Sequence, residues 1–183
     1  MWGRMNDIVR QERGRPEIDE HLFRRVMGSF ATGVTVITAS EGEGVRGMTA
    51  NAFMSGSLEP PLCIVSVAKR AHMHDLLLGA AHFGVSVLAD HQEDLSDHFS
   101  GRPDAGVSVR LARLGPVLLL TETCGRIAAE IVARHDCGDH TIFIGHILEM
   151  EAEDRAPLIY HAGRYAALDE RRGDHDIAVP EFW

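Results

Sequence analysis

Two long strand-like runs meet at one sharp corner, and that corner limits the fold more than anything else in the sequence. GRIAAEIVARHD, residues 125–136, alternates loosely between apolar and polar positions, and TIFIGHILEMEAE, residues 141–153, runs on in the same manner. Between them Cys137-Gly138-Asp139 reads as a hairpin turn. Parallel strands need a crossover of a dozen or more residues, usually a helix. From Val117 onward no such helix lies between consecutive strands, so antiparallel pairing is expected.

The first half adds more strands and a few short helices. Asp19 stands where a helix cap belongs, Leu22, Phe23, Val26, Met27 and Phe30 follow at helical spacing, and Gly33 is expected to end that helix. VTVITAS, residues 34–40, is β-branched and reads as a strand, with a second strand over residues 46–53. LCIVSVA, residues 62–68, is almost wholly apolar, which predicts burial on both faces. MHDLLLGAA is a short helix, HFGVSVLA (82–89) a strand, and QEDLSDHF (92–99) a helix capped by Asp90. Residues 158–168 form a final hairpin around Ala162-Gly163. The expectation is a mainly β chain with short helices, closed or partly closed into an antiparallel barrel. A polar arm (1–17) precedes one domain (18–168), and a charged tail (169–183) follows it.

Composition excludes several functions. The chain has 183 residues and a net charge of −9, so a nucleic-acid surface or an anionic-lipid surface is not expected. The N-terminal run has no apolar segment of the signal-peptide type, and no apolar stretch approaches the roughly 18 residues of a membrane span. Three unpaired cysteines, Cys63, Cys124 and Cys137, fit a reduced, cytoplasmic protein. Eleven histidines show no metal-ligand spacing, there is no nucleophile elbow, and Cys63 sits inside an apolar run where a thiol is inert.

Lys69 is the single lysine among 18 basic residues. It ends the apolar strand beside Arg70, with His72 and His74 at the start of the next helix. Cations gathered at a strand end and a helix N-terminus suit a phosphate, although an ordinary solvated charge pair has the same sequence. GMTANAF, residues 47–53, is rich in small and hydroxyl-bearing residues. Thr49 and Asn51 fall on one side of a strand, where close backbone approach to a flat ligand is open, and so is simple packing under a neighbour. In Gly138-Asp139-His140, the histidine either begins a strand or faces a pocket mouth.

Taken in order, these stretches resemble the short flavin reductases, the reductase components of two-component flavin monooxygenases. FRRVMGSFATGVTVITA is similar to the family's opening helix and first strand, and GMTANAFMSGSLEPPLCIVSV to its flavin-binding strand and the strand after it. HFGVSVLADHQEDLSDHFSG, GDHTIFIGHI and PLIYHAGRYAAL follow in the family's sequence, so the similarity runs from about Asp19 to Leu168. The resemblance implies a Greek-key, FMN-binding split β-barrel, a homodimer that binds FMN or FAD at the subunit interface and uses NADH or NADPH to reduce it for a partner monooxygenase. It implies that Met48, Thr49, Ala50 and Asn51 touch the flavin ring and ribityl chain. Ser66, Val67, Ala68, Lys69 and Arg70 would line the phosphate end, and His140 would lie by the nicotinamide. The run of hydroxyl residues common after the lysine-containing turn is replaced here by Arg70-Ala71-His72, so Arg70 and His72 would take its place. A non-catalytic flavin carrier or sensor on the same barrel is the alternative.

Overall fold

The computed structural model describes residues 17–168; the arm and tail expected at either end lie outside the described residues, save Glu17. The main sheet has seven antiparallel strands. In chain order they are β2 (Thr35–Glu41), β3 (Gly44–Ala50), β4 (Phe53–Ser57), β5 (Leu62–Ala68), β6 (His82–Val87), β9 (Gly125–Cys137) and β10 (His140–Ala152). Their spatial order is β3-β2-β6-β9-β10-β5-β4. The two edge strands, β3 and β4, are thus consecutive in the chain and joined by only Asn51 and Ala52. A sheet whose opposite edges share a two-residue link must curl until those edges approach. They do not pair, so the barrel stays split.

Outside this barrel, β1 (Thr32–Gly33) pairs with β11 (Ile159–His161), which pairs with β12 (Arg164–Ala166); β7 (Leu111–Leu114) pairs with β8 (Val117–Leu120). The β9–β10 hairpin turns at Gly138, whose φ of +62° favours glycine. The β11–β12 turn has Ala162 and Gly163 both at positive φ, as a two-residue hairpin turn requires.

The barrel interior is filled by Ile37, Val65, Val67, Phe83, Val85, Ala129 and Phe143, all almost fully buried. Helix α2 (His72–Gly79) closes one end with Met73 and Leu77, and Arg134 of β9 caps its last turn by donating to the carbonyls of Leu77 and Ala80. Inside the barrel the Phe83 ring of β6 reaches across β9 to β10, so that a Cβ on Gly145 would lie 2.6 Å from that ring and 2.8 Å from Ala129. A second core of Val34, Val36, Leu88, Leu120 and Leu158 lies on the other face of β2, under helix α3 (Glu93–Phe99) and the β11–β12 hairpin.

Several local expectations change. Helix α1 (Glu20–Gly28) begins on Asp19, which accepts a 2.7 Å bond from the Leu22 N–H, but it ends at Gly28, where the Ser29 N–H bonds back to the last turn; Gly33 lies in β1. The strand expected over 46–53 is two strands broken at Asn51-Ala52, because the sheet ends there and the chain must cross to the opposite edge. β5 buries only Cys63, Val65 and Val67, while Leu62, Ile64, Ser66 and Ala68 on its other face stay half-exposed; among the described residues no helix covers that side. Helix α3 starts one residue later than expected and is not capped by Asp90. Gln92 holds its start instead, accepting from the Ala89 N–H and donating to the Thr121 carbonyl. β7 falls in a stretch, residues 107–116, to which the sequence pattern assigns no element.

Candidate active site

A cleft of about 710 Å³ opens along the split, between β3 and the β5–α2 connection on one wall and the segment after α3 on the other. Met48 and Thr49 of β3, Ala68 at the end of β5, and Arg70, Ala71 and His72 entering α2 line the first wall. A smaller cavity of about 190 Å³ adjoins it at Thr49, lined also by Ala50, Asn51, Ser96 and the two tyrosines of the last hairpin, Tyr160 and Tyr165.

Strand geometry brings these residues together. Ser66 and Ala68 lie on the face of β5 opposite buried Val67, and the Ser66 N–H donates to the Ala52 carbonyl at 3.0 Å, holding the β3–β4 link against β5. Asn51 lies in the bend beyond β3, so it does not share a strand face with Thr49. The Thr49 hydroxyl donates to the Ser96 carbonyl at 2.6 Å, fixing the floor strand to helix α3. Gly47 makes that approach feasible: a Cβ there would fall 2.5 Å from the Phe99 ring, which lies over the strand.

The electrostatics of the cleft are one-sided. Arg46, Arg70, His72 and His98 line it, and no carboxylate among the described residues does. The Glu41 carboxylate meets two of these side chains at the rim, lying 2.6 Å from His72 Nε2 and 3.5 Å from Arg46 Nε. The His72 hydrogen bond is the main reason that the Glu41 carboxyl is held below its ordinary range, with Arg46 adding to it. Lys69 faces elsewhere. Its Nζ lies 3.2 Å from Asp136 on the β9–β10 hairpin, and its N–H donates to the Asp139 carbonyl. His140 pairs with Ala68 across β5 and β10, and its Nδ1 is 2.7 Å from the Asp139 carboxylate, which leaves Nε2 for another partner. That contact with His140 is the main cause of the lowered Asp139 carboxyl.

Two networks make the walls rigid. Buried His74 of α2 shares a 2.9 Å hydrogen bond with Thr141 Oγ1, the residue after His140, and so ties the helix that follows Arg70 to the His140 strand. The Tyr165 hydroxyl donates to Asp97 and lies within 2.8 Å of Ser96 Oγ, while Arg102 donates to the same Asp97 carboxylate. Burial raises the Tyr165 phenol above its ordinary value, which keeps it a donor. Cys63, deep in the barrel, is raised by burial to about 11 and is inert at neutral pH.

Sequence reasoning named the strand wall but not the second wall, His98 to Pro103, nor Arg46, Ser96 and the two tyrosines. These residues come from segments 47 and 69 positions away from their partners, Thr49 to Ser96 and Ser96 to Tyr165, and no local pattern marks such contacts.

The residues present suit a flat ring with an anionic tail: small side chains at Gly47, Ala50 and Ala68 leave room, Thr49 and Asn51 offer polar edges, and Arg46, Arg70 and the donor-capable His72 line the cleft. Comparison with known proteins agrees. Residues 27–169 match the flavin reductase like domain. The chain is 38% identical to an NADH-dependent flavin reductase of Rhodococcus over 84% of this chain and 89% of the relative. It is 41% identical to the reductase component of 4-hydroxyphenylacetate 3-monooxygenase of Thermus thermophilus, over 81% of this chain and 97% of the relative. The solved structure of the flavin reductase PheA2 in its native state superposes with a TM-score of 0.81 at 38% identity, covering 83% of this chain and 99% of that one.

Proposed function

This chain belongs to the flavin reductase like family, and from that premise we propose that the split-barrel cleft is where it reduces FMN or FAD with NADH for release to a partner monooxygenase. The observation that carries the reading is the cleft itself, small-residued at Thr49–Asn51 and cationic at Arg46, Arg70 and His72. A flavin bound there supplies the redox chemistry, accepting a hydride from the nicotinamide.

The protein's part is placement. Met48, Thr49, Ala50 and Asn51 bound the ring, with Thr49 fixed in orientation by the Ser96 carbonyl. Ser66, Val67 and Ala68 form the strand that leads to the phosphate end. There Arg70, with no carboxylate bonded to it among the described residues, is the principal cation and His72 stands in for the missing hydroxyl residues. Lys69 supports that end from behind through Asp136. His140, its Nδ1 engaged by Asp139, offers Nε2 to the nicotinamide carboxamide and orients the reductant. No side chain has to act as a nucleophile.

The molecule works as a homodimer. Helix α1 and the bend after it leave Leu22, Phe23, Val26, Met27 and Phe30 between 45% and 74% exposed on the described chain, an apolar face that a second copy would cover. No helix among the described residues is long and apolar enough to cross a membrane, and we place the reaction in the cytoplasm, where free thiols stay reduced.

Anaerobic mixing of the protein with NADH and FMN or FAD tests the reading. The visible absorbance of oxidised flavin should bleach well above the protein-free rate; bleaching at the control rate with both flavins would refute it.

A further inference from the structure

Glu41 ends β2 at the rim of the cleft and lies in a position that stability does not explain. Its Oε1 is 2.6 Å from His72 Nε2, and its Oε2 is 3.5 Å from Arg46 Nε. His72 and Arg46 both line the cleft, which Glu41 does not. The three side chains are 41%, 54% and 51% exposed, and ion pairs this open to solvent add little to folding. Their importance lies in what they occupy. A carboxylate and a phosphate ask for the same N–H donors, in the same geometry. A phosphate reaching His72 and Arg46 has to displace Glu41 or share the donors with it, and in either case it gains less than two unclaimed cations would give. Arg70 stays available as its anchor. A glutamate is ionised at neutral pH in any case, and the His72 contact holds this carboxyl lower still.

We propose that Glu41 is a built-in competitor of the flavin phosphate, holding His72 and Arg46 so that FMN and FAD bind loosely and leave after reduction. This rests on the assignment of the cleft to flavin made above. The structure thereby turns a departure from the family's hydroxyl-rich turn into a release device. His72 is a donor that an internal carboxylate can hold.

The test measures dissociation constants for FMN and for riboflavin, which lacks the phosphate, with the wild type, Glu41→Gln and the control Glu43→Gln. FMN dissociation rates are taken by stopped flow. Glu41→Gln should bind FMN about five-fold more tightly and release it correspondingly more slowly, with riboflavin unchanged. An FMN constant that stays the same or rises overturns the proposal. So does equal tightening of riboflavin, which would mean an effect on the ring, or equal tightening in Glu43→Gln, which would mean a general charge effect. The wild type separates this from the parent reading. If it reduces FMN with NADH and Glu41→Gln still binds FMN unchanged, Glu41 alone is misassigned. If it neither binds nor reduces FMN, the flavin cleft is wrong and this proposal falls with it.

Discussion

Helices α1 and α2 carry the same sequence signal and meet opposite fates. Both have apolar residues at helical spacing. α2 sinks Met73, His74 and Leu77 into the end of the barrel, with Leu77 fully buried. α1 buries none of its residues, although its amphipathic pattern is the stronger of the two to the eye. Periodicity says that a face wants cover; it does not say whether the cover is in the same chain. The site sits where the sealed helix begins, at Arg70 and His72, so the interior and the rim can be perturbed separately.

The sharpest contrast is in stability. Leu77→Ala removes a fully buried side chain from the barrel plug and should cost about 2–5 kcal/mol, read from urea unfolding. A loss under 1 kcal/mol would mean that α2 is not the plug. Thiol chemistry divides interior from rim next. With its pKa raised by burial to about 11 from 9.0, Cys63 should form thiolate roughly a hundred-fold less than an unshifted thiol. Alkylation followed by mass spectrometry of peptides should label exposed Cys137 and spare Cys63.

At the rim the cations can be ranked. Arg70→Ala should raise the flavin dissociation constant about ten-fold, the value of one lost charge-assisted contact. Lys69→Ala should raise it only about two- to three-fold, because the lysine already serves Asp136; equal effects would return Lys69 to the phosphate. The smallest effect on folding belongs to α1. Phe23→Asp should change the stability of the isolated subunit by no more than about 0.5 kcal/mol, yet shift the solution mass from dimer towards monomer in light scattering. An unchanged mass would free α1 from that role.

Much of this was legible because strands and turns announce themselves locally. The β9–β10 hairpin is written in two alternating runs and a glycine, and the β11–β12 hairpin in Ala162-Gly163. The break after Ala50 was not legible, since Asn51-Ala52-Phe53 contains neither glycine nor proline and the chain turns only because the sheet has run out of partners. LCIVSVA looked buried on both faces because composition cannot tell a covered face from one that the described chain leaves half-open. The strand wall of the cleft was readable as a small-residue run beside cations. The opposite wall was not: Phe99 reaches the cleft only because Gly47, fifty-odd residues earlier, leaves space for its ring.

The close fit of the Phe83 ring against Gly145 has an engineering consequence. Position 145 and position 83 act as a single unit, a notch and the bulky group that fills it, so neither can be redesigned alone. A library varied only at 145 should return the wild-type residue, and one varied only at 83 should lose fitness through an emptied hole. Varying both together, with smaller partners for Phe83 and alanine or serine for Gly145, is the route by which the girth of this barrel can be altered without touching the chemistry at its mouth.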